Sequence, residues 1–190
     1  MTQIVRSGDT GKRVDNKSEH RIMTELEERV QRLEDRAAIN DVVVAYFLAA
    51  DGDDIANVGA CFTTDATFCA SGQLCASGRQ GIMDFIKISR SHMGLTVHTP
   101  HYAQVTFESG DLARGLVGAH LELVIAGSAV CGAVRYVDQY LRSEGCWRIK
   151  SRDMRTIYIA PWLEVGRALA STTPARWPGS NPTLSDYPRS

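Results

Sequence analysis

The sequence predicts an α+β domain whose helices come first and whose curled, mostly antiparallel sheet follows. Three observations carry that prediction. Residues 24–50 repeat apolar side chains at helical steps; four later segments alternate like strands and are joined by short turns; and five of the six prolines fall after residue 160, where regular strand structure must end.

The opening twenty residues are polar and aperiodic, which predicts a flexible arm over 1–20. Thr24 and Glu27 have capping-box spacing and predict a helix start. Leu26, Val30, Leu33, Ala37, Val44 and Phe47 then form an apolar stripe opposite Glu28, Arg29, Arg32, Asp35 and Arg36, with a break expected near Asn40. "DGDD" stops this helix, and Asp53 or Asp54 is suited to cap a short second one through Cys61. "CFTTDATFCASGQLCASG" reads as strand, turn and short strand, and "RQGIMDFIKISRSH" returns to helical spacing through Ile82, Phe85 and Ile86. "LTVHTPHYAQVTFE", "DLARGLVGAHLELVIA", "SAVCGAVRYVDQYLRSEG" and "CWRIKSRDMRTIYI" are the long strands. Their turns, "SGD", "AGS" and "SEG", are short enough to make neighbours antiparallel. The domain is thus expected over 21–160, followed by a proline-rich tail, 161–190, in which "WLEVGRALA" forms a short helix and Trp162, Trp177 and Tyr187 cover a pocket mouth or a neighbouring subunit.

Composition excludes several classes. With 44% hydrophobic and 23% charged residues and a net charge of -1, the chain is an ordinary globular protein without a basic face for nucleic acid or anionic lipid. Neither a signal-peptide core nor a membrane-spanning apolar run is present, so a cytoplasmic location is expected. Five scattered cysteines without a Cys-x-x-Cys pair are expected to be buried, reduced thiols, and no metal site is expected.

Two polar residues draw attention. Asp51 lies in heptad phase with Val44, Ala37 and Val30, which predicts that the helix delivers it to the core side. A helix-ending acid is otherwise a solvated stop signal, and a carboxylate there opposes the helix dipole unless it finds a partner. In "VHTPHYAQVTF", period two groups His101 with Val97, Thr99, Ala103, Val105 and Phe107, the apolar set, so His101 is expected to point inward. One reading is a hydrogen-bonded core histidine; an inward Asp facing it would instead make a general base with its orienting carboxylate. His120 shares parity with Leu116, Gly118, Glu122 and Val124, which decides nothing. Arg152 belongs either to a basic edge strand or to an inward guanidinium that polarises a leaving group. Tyr46 packs or supplies a phenol.

"LEDRAAINDVVVAYFLAAD", the "HY" of "HTPHYAQVTFE" and the "W-x-x-x-x-R" of "WRIKSR" resemble SnoaL-like proteins, members of the cystatin-like α+β cone superfamily, over about residues 24–160. The likeness is nearest to the dehydrochlorinase and scytalone dehydratase type, cofactor-free lyases with an Asp-His dyad in a closed apolar cavity. It implies a sheet wrapped around the N-terminal helices, Asp51 and His101 as the dyad, and Arg152 and His120 as assisting groups. The position of the dehydrochlorinase's lysine is Tyr46, and that of the tyrosine preceding the dehydratase's Asp is Ala50. The resulting expectation is a cofactor-independent lyase or isomerase acting on a small apolar cyclic substrate held by Tyr46, Phe47 and Phe68. The alternative is a non-catalytic module that holds a hydrophobic ligand. A homodimer or homotrimer is expected, because an open sheet leaves apolar residues to cover.

Overall fold

The computed structural model describes residues 16–187, with side chains from residue 20 onward. Residues 1–15, most of the expected arm, lie outside the described residues. Helix α1 runs Asn16–Asp51, so residues 16–20 belong to it and the expected start at Thr24 is eight residues late. Thr24 is mid-helix, its hydroxyl donating to the His20 carbonyl one turn back at 3.0 Å. The chain divides into two compact units, one through Asp35 and one from Arg36 onward.

In the second unit α1 is followed by α2 (Ile55–Ala60), β1 (Phe62–Ala70), β2 (Gln73–Ser77), α3 (Arg79–Arg90), β3 (Met93–Phe107), β4 (Leu112–Ile125), β5 (Ser128–Ser143) and β6 (Cys146–Pro161). A 3-10 turn over Trp162–Glu164 leads into α4 (Val165–Leu169). Asp54 caps α2, accepting from the Asn57 amide. The six strands form one sheet in the order β2-β1-β6-β5-β4-β3. All pairings are antiparallel except β1 with β6. β6 is therefore interior, which corrects the edge-strand reading of Arg152.

The core is built by Ile39, Val43, Tyr46, Phe47 and Ala50 of α1 against inward residues of the sheet such as Val117, Leu121, Tyr136 and Ile149. This corrects the expected orientation of α1. Of the stripe expected to face the core, Leu26, Val30, Leu33, Ala37 and Val44 are exposed, and Phe47 is buried. The helix carries two apolar stripes of similar period, and periodicity reveals a stripe without saying what it faces.

The register of β3 matters most for the site. Pro100 pairs with Ala119 and Tyr102 with Gly118, so His101 is an extra residue, a β-bulge. Across a bulge the inward parity changes. Before it Thr96 and His98 turn inward; after it Ala103, Val105 and Phe107 do. Pro100 has no N–H to give to a ladder and is tolerated because β3 is the sheet edge and bulged there.

Candidate active site

α1 ends at Asp51 beside the start of β3, and the Asp51 carboxylate is saturated with donors. Oδ1 lies 2.6 Å from His98 Nδ1 and accepts from the Thr96 hydroxyl at 2.8 Å, while Oδ2 accepts the His98 backbone amide at 2.8 Å. The direction of these bonds follows from Arg90. Its Nη1 is 2.7 Å from Thr96 Oγ1, and a guanidinium only donates, so the single Thr96 proton goes to Asp51. An ionised carboxylate only accepts; His98 therefore carries a proton on Nδ1, and in the neutral ring Nε2 keeps its lone pair. Arg90 is in turn held by Asp53, Nε to Oδ1 2.5 Å. The His98 ring stacks on Phe47, centroids 5.3 Å apart. Desolvation pushes the Asp51 carboxyl upward, but the hydrogen bonds from the His98 ring, the His98 amide and Thr96 outweigh it, and its pKa falls below the ordinary aspartate value.

His98 lines a cavity of about 330 Å³ together with Tyr46, Phe68, Arg90, Tyr136 and Trp177. Trp177 comes from the tail, which is pinned by Ala175 bridging to Ile159 and by Asp186 accepting the Thr156 amide at 2.6 Å. Behind Tyr46 and Tyr136 sits Arg152, with its guanidinium 4.3 Å from one ring centre and 4.6 Å from the other. It forks onto Asp138 at 2.9 and 2.7 Å, and the Tyr140 hydroxyl donates to the same carboxylate at 2.6 Å. Neither Arg152 nor Asp138 exposes any side-chain surface. Burial opposes the Arg152 cation, yet Asp138 more than compensates and its pKa is raised. Burial is also the main reason the Tyr46 and Tyr136 pKa values are raised, with the Arg152 charge acting against it, so both phenols are neutral donors at physiological pH.

The residues singled out from the sequence are thus distributed differently from expectation. Asp51 and Tyr46 reach the site. His101 does not: it is exposed on the opposite face of the sheet, where its Nε2 lies 2.7 Å from His120 Nδ1, also exposed. The bulge is the physical reason, since it turns His98 inward and His101 outward. Arg152 points inward but its charge is spent on Asp138, and it does not line the cavity. Phe68 lines the cavity; Phe47 does not and instead backs His98. Thr96, Arg90, His98, Tyr136 and Trp177 were not anticipated. Pro100 within a strand pattern was the available signal for His98, because proline there marks an edge or a bulge. The cysteine expectation also needs correction: Cys61 is buried, but Cys75 and Cys146 are exposed, and all five are free. Among the described residues no cluster of three metal-ligating side chains occurs.

A six-stranded, mostly antiparallel open sheet preceded by N-terminal helices is the cystatin-like α+β architecture. The SnoaL-like domain family model matches residues 31–153, and the chain belongs to that family. Among solved structures it is similar to a hexachlorocyclohexane dehydrochlorinase, LinA-type3, from Novosphingobium barchaimii LL02, with 22% identity, a TM-score of 0.65, and coverage of 70% of this chain and 93% of that one. A protein assigned as a scytalone dehydratase from Novosphingobium aromaticivorans DSM 12444 aligns with 18% identity and a TM-score of 0.66, over 70% of this chain and 91% of that one. A protein assigned as an aromatic ring hydroxylase, also from Novosphingobium aromaticivorans, shares 30% identity with a TM-score of 0.64, over 70% and 96% of the two chains. No curated protein matches the chain.

Proposed function

We propose that this protein is a cofactor-independent lyase or isomerase that removes a proton from carbon in a small, apolar, cyclic substrate. The observation that carries this reading is the 2.6 Å contact between Asp51 and His98 at the wall of a largely aromatic and aliphatic cavity. His98 Nε2 takes the proton. Asp51 holds the ring in that tautomer and stabilises the imidazolium that forms, as a carboxylate does for any histidine base. Negative charge developing on the substrate, or a departing oxygen, is met by the neutral hydroxyls of Tyr46 and Tyr136, whose rings flank the Arg152 cation. Arg152 acts through them rather than on the substrate, since its fork is occupied by Asp138. The cavity is open to solvent on one side rather than closed, and its apolar lining strengthens these contacts by lowering the local polarity. That neighbouring folds include a dehydrochlorinase and a protein assigned as a dehydratase supports the reading. A module that only holds its ligand has no use for a donor-saturated carboxylate clamped to a cavity-lining imidazole, which is why catalysis is favoured over simple binding.

The test is a screen of cyclic hydroxy and halo compounds for elimination or for deuterium uptake at carbon from heavy water. His98→Asn is expected to lower turnover by about 10²–10⁴-fold with an unchanged thermal melt. His101→Ala and His120→Ala are expected to retain wild-type rates. Full activity in His98→Asn, or its loss in His101→Ala, would sink the assignment.

A further inference from the structure

The exposed stripe of α1 takes no part in the core or in the site, and it has a regularity of its own. In the unit through Asp35, Met23, Leu26, Val30 and Leu33 follow one another at steps of three, four and three, and each is between 44% and 68% exposed. Ala37, Asn40 and Val44 continue the same frame and are exposed as well. A lone helix with its apolar seam in water is only marginally stable, because in proteins most helical stability comes from packing. Apolar side chains at these alternating steps of three and four, over the eleven residues from Met23 to Leu33, suit a second helix wound against them. A membrane surface fits poorly: the stripe is narrow, and on the rest of this segment Glu25, Glu27, Glu28, Glu34 and Asp35 outnumber Arg21, Arg29 and Arg32.

We infer that the N-terminal half of α1 pairs with the same segment of a second copy of this chain as a parallel, in-register, two-stranded coiled coil. With Met23 and Val30 at a and Leu26 and Leu33 at d, the β-branched Val30 at a with leucines at d suits two strands. The flanking charges choose the direction. Glu27 and Glu34 occupy e, and Ile22 and Arg29 occupy g. In a parallel pair Arg29 meets Glu34 of the second copy, and by symmetry the contact occurs twice. In an antiparallel pair e meets e and g meets g, which sets glutamate against glutamate. Arg29 and Glu34 are both exposed, and Arg21 with Glu25, 3.5 Å apart, lies on the outward side of the frame where it does not compete. The pairing is independent of the chemistry proposed for the cavity.

The experiment is sedimentation of the full chain across the micromolar range. Leu26→Lys combined with Leu33→Lys is expected to halve the mass and to leave the thermal melt of the sheet domain in place. Arg29→Glu and Glu34→Arg are each expected to weaken self-association about tenfold, because attraction becomes repulsion at both symmetric contacts, and an equimolar mixture of the two variants is expected to restore it. Val30→Cys, in a background where the exposed Cys75 and Cys146 are serine, is expected to give a disulfide-linked dimer under mild oxidation, since only parallel, in-register a positions bring the two Cα atoms within disulfide reach. A monomeric wild type, a mass unchanged by the double lysine variant, tighter association on Arg29→Glu, or no cross-link at position 30 would each overturn the inference.

Discussion

Replacing Asp138 by Asn removes one charge while keeping the side-chain shape, in a place where the structure leaves no room for water to compensate. Arg152 and Asp138 expose no side-chain surface, and the Asp138 carboxylate receives Arg152 Nε at 2.9 Å, Nη2 at 2.7 Å and the Tyr140 hydroxyl at 2.6 Å. Arg152 Nη1 is already buried without a hydrogen-bond partner, and the acceptors left beside the cation are neutral phenol oxygens such as that of Tyr46. Breaking such a pair strands a buried charge and costs about 3–5 kcal/mol, whereas replacing the whole group by apolar side chains is often neutral or better. For a chain of this length that loss lowers the melting temperature by roughly 6–20 °C. Calorimetry or far-UV circular dichroism melts read it directly. The companion variant, Asp138→Leu with Arg152→Met and Tyr140→Phe, removes both buried charges together and is expected to melt well above Asp138→Asn while losing turnover, because Tyr46 and Tyr136 no longer flank a cation. An Asp138→Asn protein within about 1 kcal/mol of wild type would refute the claim that the pair is fully desolvated.

Thr96→Val removes the hydroxyl that passes Arg90's hydrogen bond on to Asp51, and a turnover loss of about tenfold is expected, in line with one hydrogen bond to a charged group; Thr96→Ser should restore most of it. Because the folded-state pKa of Asp51 is depressed, its contribution to stability is fully present above the unfolded aspartate value and is lost as pH falls through the lower folded value. Urea unfolding of Asp51→Asn should therefore show a shallower fall in stability between pH 5 and pH 2 than wild type, and parallel curves would count against the hydrogen-bonded carboxylate. Gly115→Ala would place a Cβ 2.5 Å from the ring of Tyr140, whose hydroxyl is fixed on Asp138, and a destabilisation of about 1–3 kcal/mol in urea is expected.

Much of the fold was legible because it rests on local chemistry. Alternation and short turns marked the strands, Pro161 closed the last one, and Asp54 capped α2. The site was half legible. Asp51 was singled out by its heptad phase with Val44, Ala37 and Val30 and by the need of a helix-ending acid for a partner; the first ground failed, since that stripe is exposed, and the second held. The identity of that partner was not legible, because period two counts residues without knowing where an extra one is inserted, and a single bulge at His101 moves every later side chain to the other face. Arg152 could be read as inward or edge-bound until strand order was known, and that order depends on the parallel pairing of β1 with β6, residues distant in sequence.

By itself the sequence determined which segments are helix and strand, that the chain folds around helices packed on one sheet, and that Asp51 required compensation. Tertiary structure alone decided which histidine answers Asp51, which of two apolar stripes on α1 is buried, and that Arg152 is paired with Asp138 between two tyrosine rings. The physical reason is that propensity and period act over a few residues, whereas face, partner and burial are set by strand register and by contacts between residues far apart in the chain.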